Sequence, residues 1–370
     1  MDTSQIAADF DRHRALPEVS VEEYVRRRSV ELGEWVMARE RVYLDKCFWI
    51  ALRDVRLMRT DDPSSKVLLQ GLVRAVQEGR RICPISDALF LELLKQTDLH
   101  TRAATAELID ELSCGVTLIP HPTRIATEIA HFLYANTGHS VYALETLVWS
   151  KLANVLGVHH PMAKAFPAED QVLIQKAFFD HMWRFSLAEM MQVIDERKIP
   201  DCWYPALADR LNQGKAAHAD EITNFAQVYR DEVYGILDVA APIALDVLGK
   251  MASDQGRYPA APTQDERATA IREILGILRA AIEKPHVKHA LRSLHLDACL
   301  HAALRWNKTQ RFDANDLYDF QHAVAALGYC DFFLTDGPMH TLLTQKHLAF
   351  RHESLCRVGS SIEEAAVWLQ

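Results

Sequence analysis

Glycine is scarce in this 370-residue chain, with 14 residues, a share below average that favours helix over loop or sheet. Seven cysteines are scattered, with no C-x-x-C pair. An odd number of thiols without regular spacing excludes a disulfide framework and reads as reduced cysteines, so a cytoplasmic protein is expected. No apolar run approaches the ~20 residues that span a bilayer. The opening MDTSQIAADFDRHRALPEVS lacks the apolar stretch of a signal peptide. No membrane partner is therefore expected. The sequence has no G-x-x-x-x-G-K-[ST], G-x-G-x-x-G or G-x-S-x-G, which removes nucleotide loops and the hydrolase elbow. Positive charge is short as well: 41 Lys and Arg face 50 Asp and Glu, for a net charge of −9. Proteins that grip nucleic acid by bulk charge are basic, so any such binding here needs a local patch.

Against these absences stands a hydrophobic content of 49%, enough for a sizeable core in one large domain or two ordinary ones. Short apolar runs at 41–45, 81–85 and 116–119 alternate with segments of helical spacing. This alternation predicts a parallel sheet flanked by helices, an α/β fold. A fourth such run, Cys330 to Leu334, arrives about two hundred residues later, and a last one begins near Cys356. Between His121 and Gln310 the pattern is helical, with candidates at 123–135, 140–156, 167–196, 217–252, 263–284 and 286–306. The expected organisation has three parts. Residues 1–40 form an N-terminal arm and helix, with 1–19 poorly ordered or loosely docked. Residues 41–120 and 311–370 make one discontinuous α/β domain. Residues 121–310 form a large all-α insertion.

The stretch Arg311 to His340 organises the chemistry. Asp313 and Asn315 mark a helix start, Gly328 its end, and Thr335-Asp336 the end of the following strand. Asp316 and Asp319 lie near the start of that helix. Asp45 closes the first strand, and Glu92 follows the second. Positions just beyond parallel strands converge on one edge of a sheet. Four clustered carboxylates repel one another unless a hard cation such as Mg²⁺ or Mn²⁺ neutralises them, and such clusters serve phosphodiester hydrolysis. Each acid also has a purely structural use. Asp45 suits a helix cap, Glu92 a pair with Lys95, Asp316 the helix dipole, and Asp336 a Thr-Asp-Gly-Pro turn.

V-Y-L-D at 42–45, Ser86 with Glu92, N-D-x-x-D at 315–319 and F-L-T-D at 333–336 together resemble the PIN-domain nucleases, which include the ribonuclease toxins of toxin–antitoxin pairs. The resemblance covers 41–120 and 311–350. It implies a PIN-like fold and a metal-dependent endonuclease, acting on RNA in preference to DNA and leaving a 5′-phosphate and a 3′-hydroxyl. By it Asp45, Glu92, Asp319 and Asp336 are the catalytic, metal-binding acids, with Thr335 orienting the site. Asp319 fits the D-x-x-x-A helix of the family better than Asp316, which becomes an alternative ligand or a supporting acid. The family commonly has a small polar residue and Asn after the first Asp, whereas Lys46 and Cys47 stand here. That departure and the acidic net charge motivate an alternative: an inactive PIN-like scaffold whose helical insertion binds a protein partner. The insertion also suits a homo-oligomer or a regulatory protein.

A nucleic-acid substrate needs cations and a stacking surface near the acids. Arg305, Trp306, Lys308 and Arg311 run directly into the acidic helix, and Lys46 and Arg53 follow Asp45. A zinc site built from His286, His289, His295 and His301 is disfavoured because these positions share a helix face only in part. Cys47 has no reason to be a thiolate.

Overall fold

The computed structural model describes residues 3–162, 167–194, 204–257, 262–345 and 356–369. Its centre is a four-stranded sheet of β1 (Glu40–Leu44), β2 (Arg81–Ile82), β5 (Phe332–Leu334) and β6 (Arg357–Gly359), in the order β2-β1-β5-β6 and parallel throughout. Alternation along β1 explains why helices cover both faces. Tyr43 points into one hydrophobic cluster, while Val42 and Leu44 point into another. In β5, Phe333 and Leu334 divide in the same way. A helical strand-to-strand connection is needed at each parallel step. Helices α3 (Lys46–Arg56) and α4 (Pro63–Gln77) connect β1 to β2. Helices α5 (Asp87–Leu94) and α6 (Leu99–Ser113) lead to β3 (Val116–Leu118), which meets the extension of β2 through a parallel bridge between Ile85 and Thr117.

Several expectations change here. Residues 121–310 are not all helix. Trp149–Lys151 form a strand, β4, antiparallel to β3. The predicted helix at 140–156 is instead two 3₁₀ turns around this strand. Three residues are too few for a period-2 pattern to show, and Trp149 earns its burial by packing rather than by helical spacing. The predicted helix 167–196 is two helices, α8 (Ala168–Arg184) and α9 (Leu187–Val193), because Ser186 and Glu189 form a capping box; residues 195 and 196 lie outside the described residues. A separate helix α10 (Tyr204–Ala217) precedes α11 (Phe225–Asp254), which continues through Pro242. Helices α7 (His121–Asn136) and α12 (Gln264–Ala281) match expectation. The 286–306 segment breaks at Leu291 into α13 (Pro285–Ala290) and α14 (Arg292–Trp306).

The N-terminal arm is a helix, α1 (Thr3–Arg14), docked on α8 by buried polar contacts rather than left loose. His13 Nε2 lies 2.8 Å from Asp180, and Arg184 pairs with Asp9. Helix α2 (Val21–Met37) starts at the expected Ser20 cap. The helix carrying Asp319, α15 (Ala314–Tyr329), begins with a capping box between Asp313 and Asp316. Gly328 lies inside it rather than ending it, and Cys330 is the cap. The Gly328 carbonyl accepts from Arg292 Nη1 at 3.1 Å. Buried on almost every side, α15 packs against α5, α10, α14 and β5. Helix α16 (Gly337–Leu343) follows β5, and α17 (Ile362–Trp368) closes the chain against α4.

The first hydrophobic cluster draws on the sheet and α15, and also on Trp149, Phe179, Trp183 and Leu300. The helices between 121 and 310 thus share a core with the sheet. A third cluster, with Leu237, Leu278 and Leu294, belongs to α7 and α11–α14 alone.

A candidate metal centre at the carboxyl edge of the sheet

Register places the first two acids. Leu44 pairs with Leu334, and the ladder runs one step further as the Asp45 N–H donates to the Leu334 carbonyl at 2.9 Å. Asp45 and Thr335 therefore stand side by side. The Thr335 hydroxyl donates to Asp45 Oδ2 at 2.8 Å, fully buried. Asp45 occupies the cap position of α3, but the one amide of that helix its carboxylate accepts from is its neighbour Lys46 N–H, not the N2 or N3 amides that a capping side chain usually serves. Asp336 does cap α16, accepting from the Met339 N–H at 2.8 Å through Oδ1.

Helix α5 brings Glu92 to the same edge, and α15 brings Asp319 and His322, one turn apart. Ligand atoms of Asp45, Glu92 and His322 lie within 4.8 Å of one another, and all three residues are buried. Glu92 is not paired with Lys95, which sits 3.6 Å over the Tyr318 ring. Its Oε2 faces His322 Nε2 at 2.9 Å, and its Oε1 accepts from Lys46 Nζ at 3.2 Å. The far side of the imidazole, Nδ1, lies 2.7 Å from the Tyr43 hydroxyl, which is 2.6 Å from Ser86 Oγ. This chain fixes the ring, as supporting partners fix metal-binding histidines.

The electrostatics follow from this crowding. Burial pushes the Asp319 carboxyl up, and the like charges of Asp45, Asp336 and Glu92 push it further, to about 7. Burial alone would lift Glu92 too, but His322 and Lys46 hold it below its ordinary value. His322 is opposed by burial and yet raised, because Glu92, Asp45 and Asp319 stabilise its cation. Desolvation beside the sheet edge, with the charges of Asp45 and Asp336, pushes the thiol of the exposed Cys47 up to about 12, so it is no thiolate nucleophile.

Not every expected residue joins the site. Asp316 is used at the start of α15, where its Oδ2 accepts from the Asp313 N–H at 2.7 Å. Arg53 points its guanidinium at Asp54. Arg305, Lys308 and Arg311 line a separate cleft, and Arg305 also pairs with Glu232 at 2.8 Å. Trp306 packs edge-on against Phe225. The four candidate zinc histidines do not converge. His286 and His289 are exposed, His295 meets the Tyr229 hydroxyl, and His301 faces Asp297. His322 is the residue that sequence reading missed. Its signal was present as D-x-x-H in 319–322, an i, i+3 pair on one helix face.

The arrangement is a hard-oxygen site with one nitrogen donor. Asp319, its proton held to about 7 by burial and then by the like charges around it, is the kind of group a divalent cation would discharge. Asp45, Glu92 and His322 have the spacing to share one ion, and an imidazole in the donor set tilts the choice from Mg²⁺ toward Mn²⁺. Comparison with protein-family models, with curated proteins and with solved structures returned no match for this chain.

Proposed function

We propose that this chain is a metal-dependent endonuclease of PIN-like type, acting on RNA. The observation that carries the reading is where the acids sit. Strand order reverses between β1 and β5, since the chain leaves β1 toward β2 on one side and returns to β5 on the other. In open parallel sheets, sites form beyond the carboxyl ends of the strands at such a switch point. Asp45 and Asp336 follow the two strands flanking it, and Glu92, Asp319 and His322 converge there from two helices.

Asp45, Glu92, Asp319, Asp336 and His322 would hold the cation. A bound divalent ion supplies a more acidic water and charge neutralisation at the phosphodiester. The chain's own residues do the rest. Thr335 fixes the Asp45 carboxylate. Tyr43 and Ser86 fix the His322 ring. Asp319, which burial and its acidic neighbours keep protonated to about 7 without a cation, would give up that proton to join the ligands of a bound ion. Lys46, at the mouth beside Glu92, carries a positive charge that a phosphate oxygen can take up.

A second reading, an inert scaffold that binds a protein partner through the 121–310 helices, is favoured by one observation. Lys46 and His322 already neutralise Glu92 from within. The two readings part on cleavage of end-labelled single-stranded RNA and DNA in Mn²⁺ or Mg²⁺. The nuclease reading expects metal-dependent cutting of RNA by the wild type and at least about a hundredfold loss in Asp319→Asn. Equal cutting by both proteins, or none with either metal, sinks it in favour of the scaffold.

A further inference from the structure

Beside the start of α15 lies a cleft of ≈ 380 Å³ between α10, the turn after it and the end of α14. Four of its lining side chains are Lys215, Arg305, Lys308 and Arg311, and no carboxylate lines it among the described residues. For a chain of net charge −9, this is a local excess of the opposite sign. The cleft is built rather than incidental. The Lys215 ammonium donates to the carbonyls of Leu304, Asn307 and Gln310 at 2.8, 2.6 and 2.5 Å. Asn212 makes two hydrogen bonds with the backbone of Phe312. The loop 307–312 is thereby fastened to α10, while Lys308 and Arg311 remain exposed, with no carboxylate partner among the described residues.

Arg305 adds a further cation to the lining, with one arm of its guanidinium on Glu232 at 2.8 Å, and a phosphate oxygen matches the edge of a guanidinium. The size suits one nucleotide, and Ile222 and Ala219 supply an apolar wall. Arg311 is also close to the acids. Three extended residues and five helical ones separate it from Asp319, a Cα distance of at most about 18 Å.

We propose that this cleft is an exosite that seats one phosphorylated nucleotide of a single-stranded RNA whose strand then crosses the acidic edge. The choice of RNA rests on the nuclease reading; the recognition of a phosphate rests on the cleft itself. The test uses the full chain in EDTA, so that binding is read without cleavage. A fluorescein-labelled five-nucleotide RNA with a 5′-phosphate is titrated by anisotropy, and its 5′-hydroxyl counterpart separates a terminal phosphate from an internal phosphodiester. The double variant Lys308→Glu/Arg311→Glu is compared with Lys250→Glu/Arg272→Glu, which makes the same charge change at exposed positions on α11 and α12.

The cleft variant is expected to raise Kd about tenfold or more and to lower the salt slope by about 0.7, the value for one single-strand phosphate contact. The control should change Kd less than about twofold. Absence of binding by the wild type, or equal weakening in both variants, overturns the exosite. Metal-dependent cleavage that persists unchanged in the cleft variant would remove the exosite and leave the nuclease. Cleft-dependent binding without cleavage in any metal would do the reverse.

Discussion

Asp319 is the side chain in which the conflict of this site is concentrated. Its neighbours Asp45, Asp336 and Glu92 share its sign, and burial denies it water, so it keeps its proton to about 7 instead of its ordinary 3.8. A carboxyl raised on folding means that the native state binds more protons than the unfolded chain. Metal-free stability should therefore fall as pH rises from about 4 to about 7. His322 works in the same direction, since its raised value makes its contribution fade as pH climbs beyond 6.5. Asp319→Asn should remove the first part. Thermal unfolding in EDTA should show the variant melting about a few degrees above wild type at pH 8, with the two alike at pH 4. A variant no more stable than wild type at pH 8 would mean that Asp319 is not under repulsion. His322 shows what a list of acids omits: a histidine one turn from an acid was in plain view, but burial alone makes its neighbour's charge matter.

At the scale of elements, the legible parts were those with strong local signals. The Ser20, Thr263 and Asp313 caps all supply local order where a polar residue precedes an apolar pattern. Strands β1, β5 and β6 were legible as short apolar runs. What failed was set by tertiary contact. Trp149–Lys151 pairs with β3 over only three residues, and Leu291 breaks a helix whose flanks are equally helical in character. Gly328 looked like a terminus and is an interior residue whose carbonyl accepts from Arg292. Gly33, in the middle of α2, is a sharper case. A Cβ there would overlap the backbone of Thr146, with its Cα and carbonyl carbon at 2.6 Å. Helix propensity favours alanine over glycine by about 1 kcal/mol. The contact reverses that preference, and Gly33→Ala should destabilise by about 2–3 kcal/mol in urea unfolding. A stabilising effect would show that α2 and the 144–146 turn do not touch.

At the scale of the whole molecule, chain order and spatial order disagree, and the site exists because they do. The acids at 45 and 92 meet those at 319 and 336 because β1 and β5 are neighbours across almost three hundred residues. The parallel sheet, its flanking helices and the convergence of strand ends could be read from alternating patterns. The shared core between the sheet and the helices of 121–310 could not, because Trp149, Phe179 and Leu300 sit in segments whose apolar stripes say only that something covers them. At the centre of the proposed function, Asp45, Glu92, Asp319, Asp336 and His322 would hold a divalent cation. The most direct measurement is titration of the protein with Mn²⁺, following the free-ion EPR signal, for wild type and for Asp45→Asn/Glu92→Gln. The account predicts saturable loss of the free-ion signal with wild type and an undiminished free-ion signal with the folded variant. No saturable binding by wild type, or equal binding by both, would contradict it.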